Sequence, residues 1–281
     1  MASDDAGPFG DTPQTSYVAP LDLFHRFAEP ELRALIGDLG LKSGDVVLDA
    51  GCGTGVATQW LAQHVMPDGL AIGIDLSTDH VQRARRRARP EGLPLAFLQA
   101  DLTSIPLTAR RFDLIWCSNT IIHLCDALDG ARTLVRLLRP GGRLALAQSL
   151  FLPEMVFAWD ERLEKETVQA CRRYYRDQYG LDERDTTAMR NLLGLLQRAG
   201  LGKTTVKTVV IERAAPLTSE DEAYFLDGLF RAHWGSRLRP YLSPDDWAEL
   251  ERLCDPDSPR YCLRRPDFHH LQTYTVVIGG V

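Results

Sequence analysis

Val46–Gly55 reads V-V-L-D-A-G-C-G-T-G, and this stretch decides the fold. Val46, Val47 and Leu48 form a short apolar run with two β-branched residues, the pattern of a strand buried on both faces. Gly51, Gly53 and Gly55 follow at alternate positions. Residues without a Cβ allow a tight turn and let a ligand approach the backbone. Beyond them, Thr54 to Val65 has apolar residues at helical spacing in Val56, Trp60, Leu61 and Val65. The chain therefore runs strand, glycine turn, helix, and the free N–H groups of the helix start face the turn. A dinucleotide turn starting at Gly51 would need a third glycine at position 56, where Val56 stands. The pattern is instead D-x-G-x-G-x-G, headed by Asp49 at the strand end. A carboxylate there repels a pyrophosphate and suits a ligand with an ammonium or sulfonium group.

Two more acids stand at strand ends downstream. The run Leu70–Ile74 ends in Asp75, 22 residues past Gly53, and is followed by Leu76 and Ser77. An acid at the end of a second strand faces the pocket of the glycine turn and accepts hydrogen bonds from both hydroxyls of a ribose. The strand Leu95–Ala100 is followed by Asp101 and Leu102. Asp101 alone is also a good turn former, but open α/β sheets bind ligands at these strand ends. With its glycine turn and these acids, the chain resembles the class I S-adenosylmethionine-dependent methyltransferases. The stretch Arg139-Pro140-Gly141-Gly142-Arg143-Leu144 resembles the same family before its fifth strand. The resemblance implies an α/β fold, Rossmann-like, with a doubly wound, mostly parallel seven-stranded sheet and helical cap insertions. It implies S-adenosyl-L-methionine as cofactor, held by Tyr17, Asp49, Ala50, Gly51, Gly53, Gly55, Asp75, Leu76, Asp101, Leu102 and Asn119. In that reading Leu76 packs on adenine and Asp101 takes its exocyclic amino group.

Other features narrow the acceptor. The fourth strand, Phe112–Cys117, is followed by Ser118-Asn119-Thr120-Ile121, where related enzymes acting on nucleic-acid bases carry Asn- or Asp-Pro-Pro-aromatic. That departure, with a net charge of −6, argues against a nucleic-acid partner. The six cysteines form no C-x-x-C pair and fit reduced thiols in a cytoplasmic protein. No apolar run approaches the roughly 18 residues of a membrane span, and the N-terminus lacks a basic segment followed by an apolar one. No acidic or histidine cluster marks a metal site. The expected partner is a small-molecule acceptor.

The domain plan is an N-terminal tail and lid over residues 1–28, then a catalytic domain over 29–281 with helical insertions at about 151–184 and 216–266. Met1–Ser16 is polar and reads as a disordered tail. Tyr17–Phe27 is apolar and aromatic, and reads either as a helix packed on the sheet edge or as a lid. Tyr17 is the first candidate for a lid contact, with Phe24 and Phe27 in the core. Helices are expected over Glu31–Leu41, Asp79–Arg89, Asp126–Leu138, Asp185–Ala199 and Asp245–Leu253. Later strands are expected over Arg143–Leu150, Thr204–Ile211 and Leu271–Ile278. The arginines 83, 85, 86, 87 and 89 read as a solvated helix face. The aromatics of the two insertions have three uses open to them: lining an acceptor pocket, packing on the sheet, or a homodimer contact.

A sulfonium methyl is already activated, so positioning the acceptor in line can remove on the order of 7–11 kcal/mol of barrier. A base is needed only for an acceptor that arrives protonated. His123, Tyr17, His233 and His269 are the candidates, and a structural role for His123 is equally open. The reading is methyl transfer to a small molecule at O, N or C. Two rivals are a cofactor-retaining enzyme of cyclisation or isomerisation and a non-catalytic cofactor-binding subunit.

Overall fold

The computed structural model describes residues 18–88, 92–107, 109–149, 156–157, 160–179 and 191–281. Val47, Leu48 and Ala50 of β1 (Val46–Ala50) are fully buried, because helices cover both faces of the sheet at that strand. Parallel pairing joins β1 to β2 (Leu70–Asp75) on one side and to β4 (Phe112–Ser118) on the other. β3 (Leu95–Gln99) extends the first side and β5 (Leu138–Ser149) the second. The strand order reverses between β1 and β4, which opens a crevice at their carboxyl ends, the usual ligand position of such sheets. Beyond β5 the sheet turns antiparallel. β8 (His269–Gly280) pairs with β5, with β7 (Gly202–Ala214) and with the two-residue β6 (Val156–Phe157).

One sheet face carries α2 (Glu29–Gly37) and α3 (Val56–Val65), whose Leu35, Ile36, Trp60 and Leu61 pack with Val47, Leu114 and Trp116. α4 (Thr78–Ala88) shares that face through Val81 and Ala84 against Phe97. The other face carries α5 (Ala127–Leu137), with Leu134 and Leu137 packed against Ile115 and Leu144. Asp126 caps α5 by accepting from the backbone N–H groups of Leu128 and Asp129, each at 2.9 Å.

Some element limits differ from expectation. β5 begins at Leu138 rather than Arg143, because Leu138 pairs with Phe112 before the Pro-Gly-Gly segment bulges out and pairing resumes at Arg143. Within the first insertion the described residues hold β6 and the helix α6 (Glu161–Tyr179). The start of the helix expected from Asp185 lies outside the described residues, which place α7 at Leu192–Arg198. The second insertion opens with the short α8 (Ser219–Ala223) and continues as a π-helix, Tyr224–Trp234. Its Tyr224, Phe225, Phe230 and Trp234 are buried in the main core, so they take the packing role among the three open to them. α1 (Val18–Phe27) lies against this π-helix, with Phe27 stacked on Tyr224 at a ring separation of 4.0 Å.

Candidate active site

The glycine turn is locked by its own geometry. Gly51 and Gly55 have φ of 79° and 78°, where a side chain is strained. Space forbids one as well: a Cβ on Gly51 would lie 2.2 Å from Thr120 Oγ1, and one on Gly55 would lie 2.8 Å from the Cβ of Ala84. Gly53 has a φ of 52°, strained for a side chain as well, but the space around it differs. Among the described residues only Leu21 of α1 would come within 4 Å of such an atom, at 3.4 Å. The turn is therefore tightly filled at Gly51 and Gly55, and at Gly53 its described neighbour is Leu21 of α1.

Asp75 sits at the end of β2 with its carboxylate against this turn. Gly53 N–H donates to Asp75 Oδ2 at 2.8 Å, and Ser77 N–H donates to Oδ1 at 2.9 Å. His80 Nδ1 lies 3.2 Å from the same Oδ1. Gly51 and Cys52 both donate to the carbonyl of Ile74 at 2.8 Å, which ties the turn to β2. Ala100 N–H donates to the carbonyl of Asp75 at 3.0 Å, and this bond brings the end of β3, and with it Asp101, beside the end of β2. The Asp101 carboxylate is exposed and holds the backbone N–H and hydroxyl of Thr103, each at 2.8 Å. Leu76 is 45% exposed next to Asp75, an apolar surface that the protein itself leaves uncovered. Leu102, by contrast, is buried in the core.

Asp49 is placed differently from the other acids. It is 2% exposed, beneath the turn, and accepts from Thr58 Oγ1 of α3 at 2.6 Å. Burial raises its carboxyl to about 7; the Thr58 hydrogen bond opposes the rise and the nearby charge of Asp75 adds to it. Ala50 is fully buried beside it. Asn119 has a φ of 50°, and its Oδ1 accepts from Ser149 N at 2.8 Å and from Ser149 Oγ at 3.2 Å. Its side chain thus braces β5. On the antiparallel side, Tyr274 Oη lies 2.6 Å from Ser118 Oγ, and Phe24 of α1 stacks over the Tyr274 ring at 6.3 Å.

The base candidates are scattered. His123 is half-buried on the 3₁₀ turn Ile121–His123 that follows β4. His233 lies on the π-helix, bonded through Nδ1 to the carbonyl of Gly228, and burial lowers its pKa. His269 is paired with Glu212 of β7 at 2.7 Å. Tyr17 lies outside the described residues. Sequence reasoning missed His80, Thr54, Asp22 and Arg87. Thr54 Oγ1 donates to Asp22 Oδ1 at 2.6 Å, and Arg87 Nη2 donates to Asp22 Oδ2 at 2.9 Å. Arg83 and Arg86 lie exposed on α4 as expected of a solvated face, and Arg89 lies outside the described residues; the departures are Arg85, exposed yet bonded to the carbonyl of Phe97 at 2.8 Å, and Arg87, which reaches the turn. The signal for His80 and Arg87 was their spacing with Ala84, which puts all three on one helix face.

Residues 47–142 match the family model described as a methyltransferase domain. The chain is 36% identical over 142 residues to methyltransferase GfsG of Streptomyces halstedii, covering 50% of this chain and 49% of that protein. It is 33% identical over 181 residues to malonyl-[acyl-carrier protein] O-methyltransferase of Enterobacter lignolyticus, covering 58% of this chain and 68% of that one. The chain belongs to the S-adenosylmethionine-dependent methyltransferases. This methyltransferase spans about half the length of GfsG. It shares its fold with the YcgJ protein of Bacillus subtilis, at a TM-score of 0.57 and 16% identity over 90% of this chain and 98% of that structure. Among the described residues of the methyltransferase, no helix is long and apolar enough to cross a membrane and no group of side chains is arranged to hold a metal ion.

Proposed function

We propose that this methyltransferase binds S-adenosyl-L-methionine across the ends of β1, β2 and β3 and moves its methyl group to a small-molecule acceptor. The observation that carries the reading is the 2.8 Å bond from Gly53 N–H to Asp75, with the end of β3 tied beside it. One site then offers a glycine turn beneath Leu21 of α1, a carboxylate for two ribose hydroxyls, the exposed Leu76 for a flat apolar ring, and Asp101 for an amino group. These groups fit an adenosyl ligand. The bound cofactor supplies a methyl group on a positively charged sulfur. The chain's own part is to hold, orient and shield. Gly53, Ser77 and His80 keep the Asp75 carboxylate in place, and Asp49 braces the turn from beneath through its bond with Thr58 of α3. Leu21 and Phe24 of α1 cover the turn and Tyr274, which keeps water from the reacting atoms. For an acceptor that arrives protonated, His123 is the group proposed to take the proton, from its place just after β4. The six free thiols support a reducing, cytoplasmic setting.

Transfer of labelled methyl from S-adenosylmethionine to candidate small acceptors tests the reading, with S-adenosylhomocysteine binding followed by calorimetry. Asp75→Ala is expected to weaken that binding at least roughly a hundredfold, since two hydrogen bonds to a charged group are worth about 1.5–3 kcal/mol each. Asp75→Asn, which still accepts from Gly53, separates loss of the ligand contact from loss of the turn. Binding that is unchanged in both variants would sink the site assignment.

A further inference from the structure

One face of α4 follows the glycine turn along its whole length. His80, Ala84 and Arg87 stand at i, i+4 and i+7 and point the same way. His80 meets the Asp75 carboxylate, Ala84 packs under Gly55, and Arg87 reaches past the turn to α1. There Arg87, Thr54 and Asp22 close a triangle of hydrogen bonds. Arg87 Nη1 donates to Thr54 Oγ1 at 3.0 Å and to the Thr54 carbonyl at 3.3 Å, and Nη2 donates to Asp22 Oδ2 at 2.9 Å. Thr54 Oγ1 donates to Asp22 Oδ1 at 2.6 Å. Thr54 is buried inside the turn, whereas Asp22 and Arg87 are half-buried at its mouth. The far end of α1 is anchored separately. Arg213 of β7 donates to the carbonyl of Phe27, to Glu31 at 2.7 Å and to Asp221 of α8 at 2.9 Å. α1 is therefore pinned at its end to the cap and in its middle to the turn, with Leu21 lying over Gly53.

We propose that Asp22 and Arg87 are positioning residues of the transfer site: through Thr54 they latch α1 onto the glycine turn, so that cofactor held by the turn and closure of α1 over it stabilise each other. The inference rests on the methyl-transfer reading. A ligand seated between the turn and α1 strengthens the latch by the same factor by which the latch strengthens its binding. Neither residue touches the reacting atoms in this arrangement. Each acts by fixing the turn and the helix, and no sequence motif marks either one.

Hydrogen exchange of the full chain tests the latch, with and without S-adenosylhomocysteine. In the wild-type chain the amides of Val18–Phe27 are expected to gain protection when the nucleoside is added. In Arg87→Ala they exchange faster without it, the gain on adding it is lost, and the nucleoside binds roughly tenfold more weakly, the effect of losing one charge-assisted contact. Amides of α2 and β1 stay protected, which shows that the sheet is intact. Asp22→Asn changes only the lid side; it keeps the Thr54 contact and is expected to fall between wild type and Arg87→Ala. Unchanged α1 exchange in both variants overturns the inference, as does binding to the wild-type chain with no change in α1. Absence of binding to the wild-type chain overturns the methyl-transfer reading and the inference with it.

Discussion

Asp49 carries its carboxyl where water is excluded, and the consequence is a dependence on pH with a definite sign. Its folded pKa is raised to about 7 by burial, above the ordinary carboxylate value near 4 of an unfolded chain. Between those two values the folded state holds a proton that the unfolded state has released, so stability falls as pH rises from about 4 to about 7 and levels off above. Asp49→Asn removes this slope. Urea unfolding of both chains across that window is expected to show the wild type losing stability relative to the variant as pH climbs; a constant difference would contradict the burial argument. At the same scale, Gly51, Gly53, Gly55 and Asp75 were legible in the sequence, because a strand followed by alternating glycines allows few other conformations. The contact of Asn119 was not legible there: its side chain braces Ser149 of β5. That contact joins residues 30 apart and leaves no local trace.

At the scale of elements, the N-terminal helix shows how far periodicity reaches. Its aromatic run predicted a helix, and α1 forms from Val18 to Phe27. Its partners are a π-helix more than 190 residues later and a turn some 30 residues away, and nothing in the spacing of α1 points to either. Arg213 is the bond between these parts. Its guanidinium, 15% exposed, serves Glu31, Asp221 and the end of α1, and lies 4.6 Å from the Phe27 ring. Removing it leaves two half-buried carboxylates uncompensated, so Arg213→Ala is expected to cost about 3 kcal/mol in urea unfolding. Arg213→Lys recovers little of this, because one ammonium group cannot serve three acceptors in a planar fork. A cost under about 0.5 kcal/mol would place Arg213 with ordinary surface ion pairs.

For the whole molecule, a ligand that binds only the folded chain must stabilise it. At a hundred times its dissociation constant, S-adenosylhomocysteine is expected to add about 2.7 kcal/mol, read as a rise in the unfolding temperature. A nicotinamide dinucleotide is expected to add nothing, since Val56 stands where a third glycine would be needed and Asp49 opposes a pyrophosphate. A rise with the dinucleotide alone would reverse the reading. Three successive strand ends, each with its acid or glycines, determined the parallel half of the sheet and the class of ligand. That much is local: apolar runs, glycine turns and caps act within about ten residues, and each could be read where it stands. The antiparallel half, the bulge at the start of β5, the π-helix and the Asp22–Thr54–Arg87 triangle were decided by tertiary structure. The bonds of the triangle join residues from 32 to 65 positions apart, and such contacts form only once burial has brought their elements together.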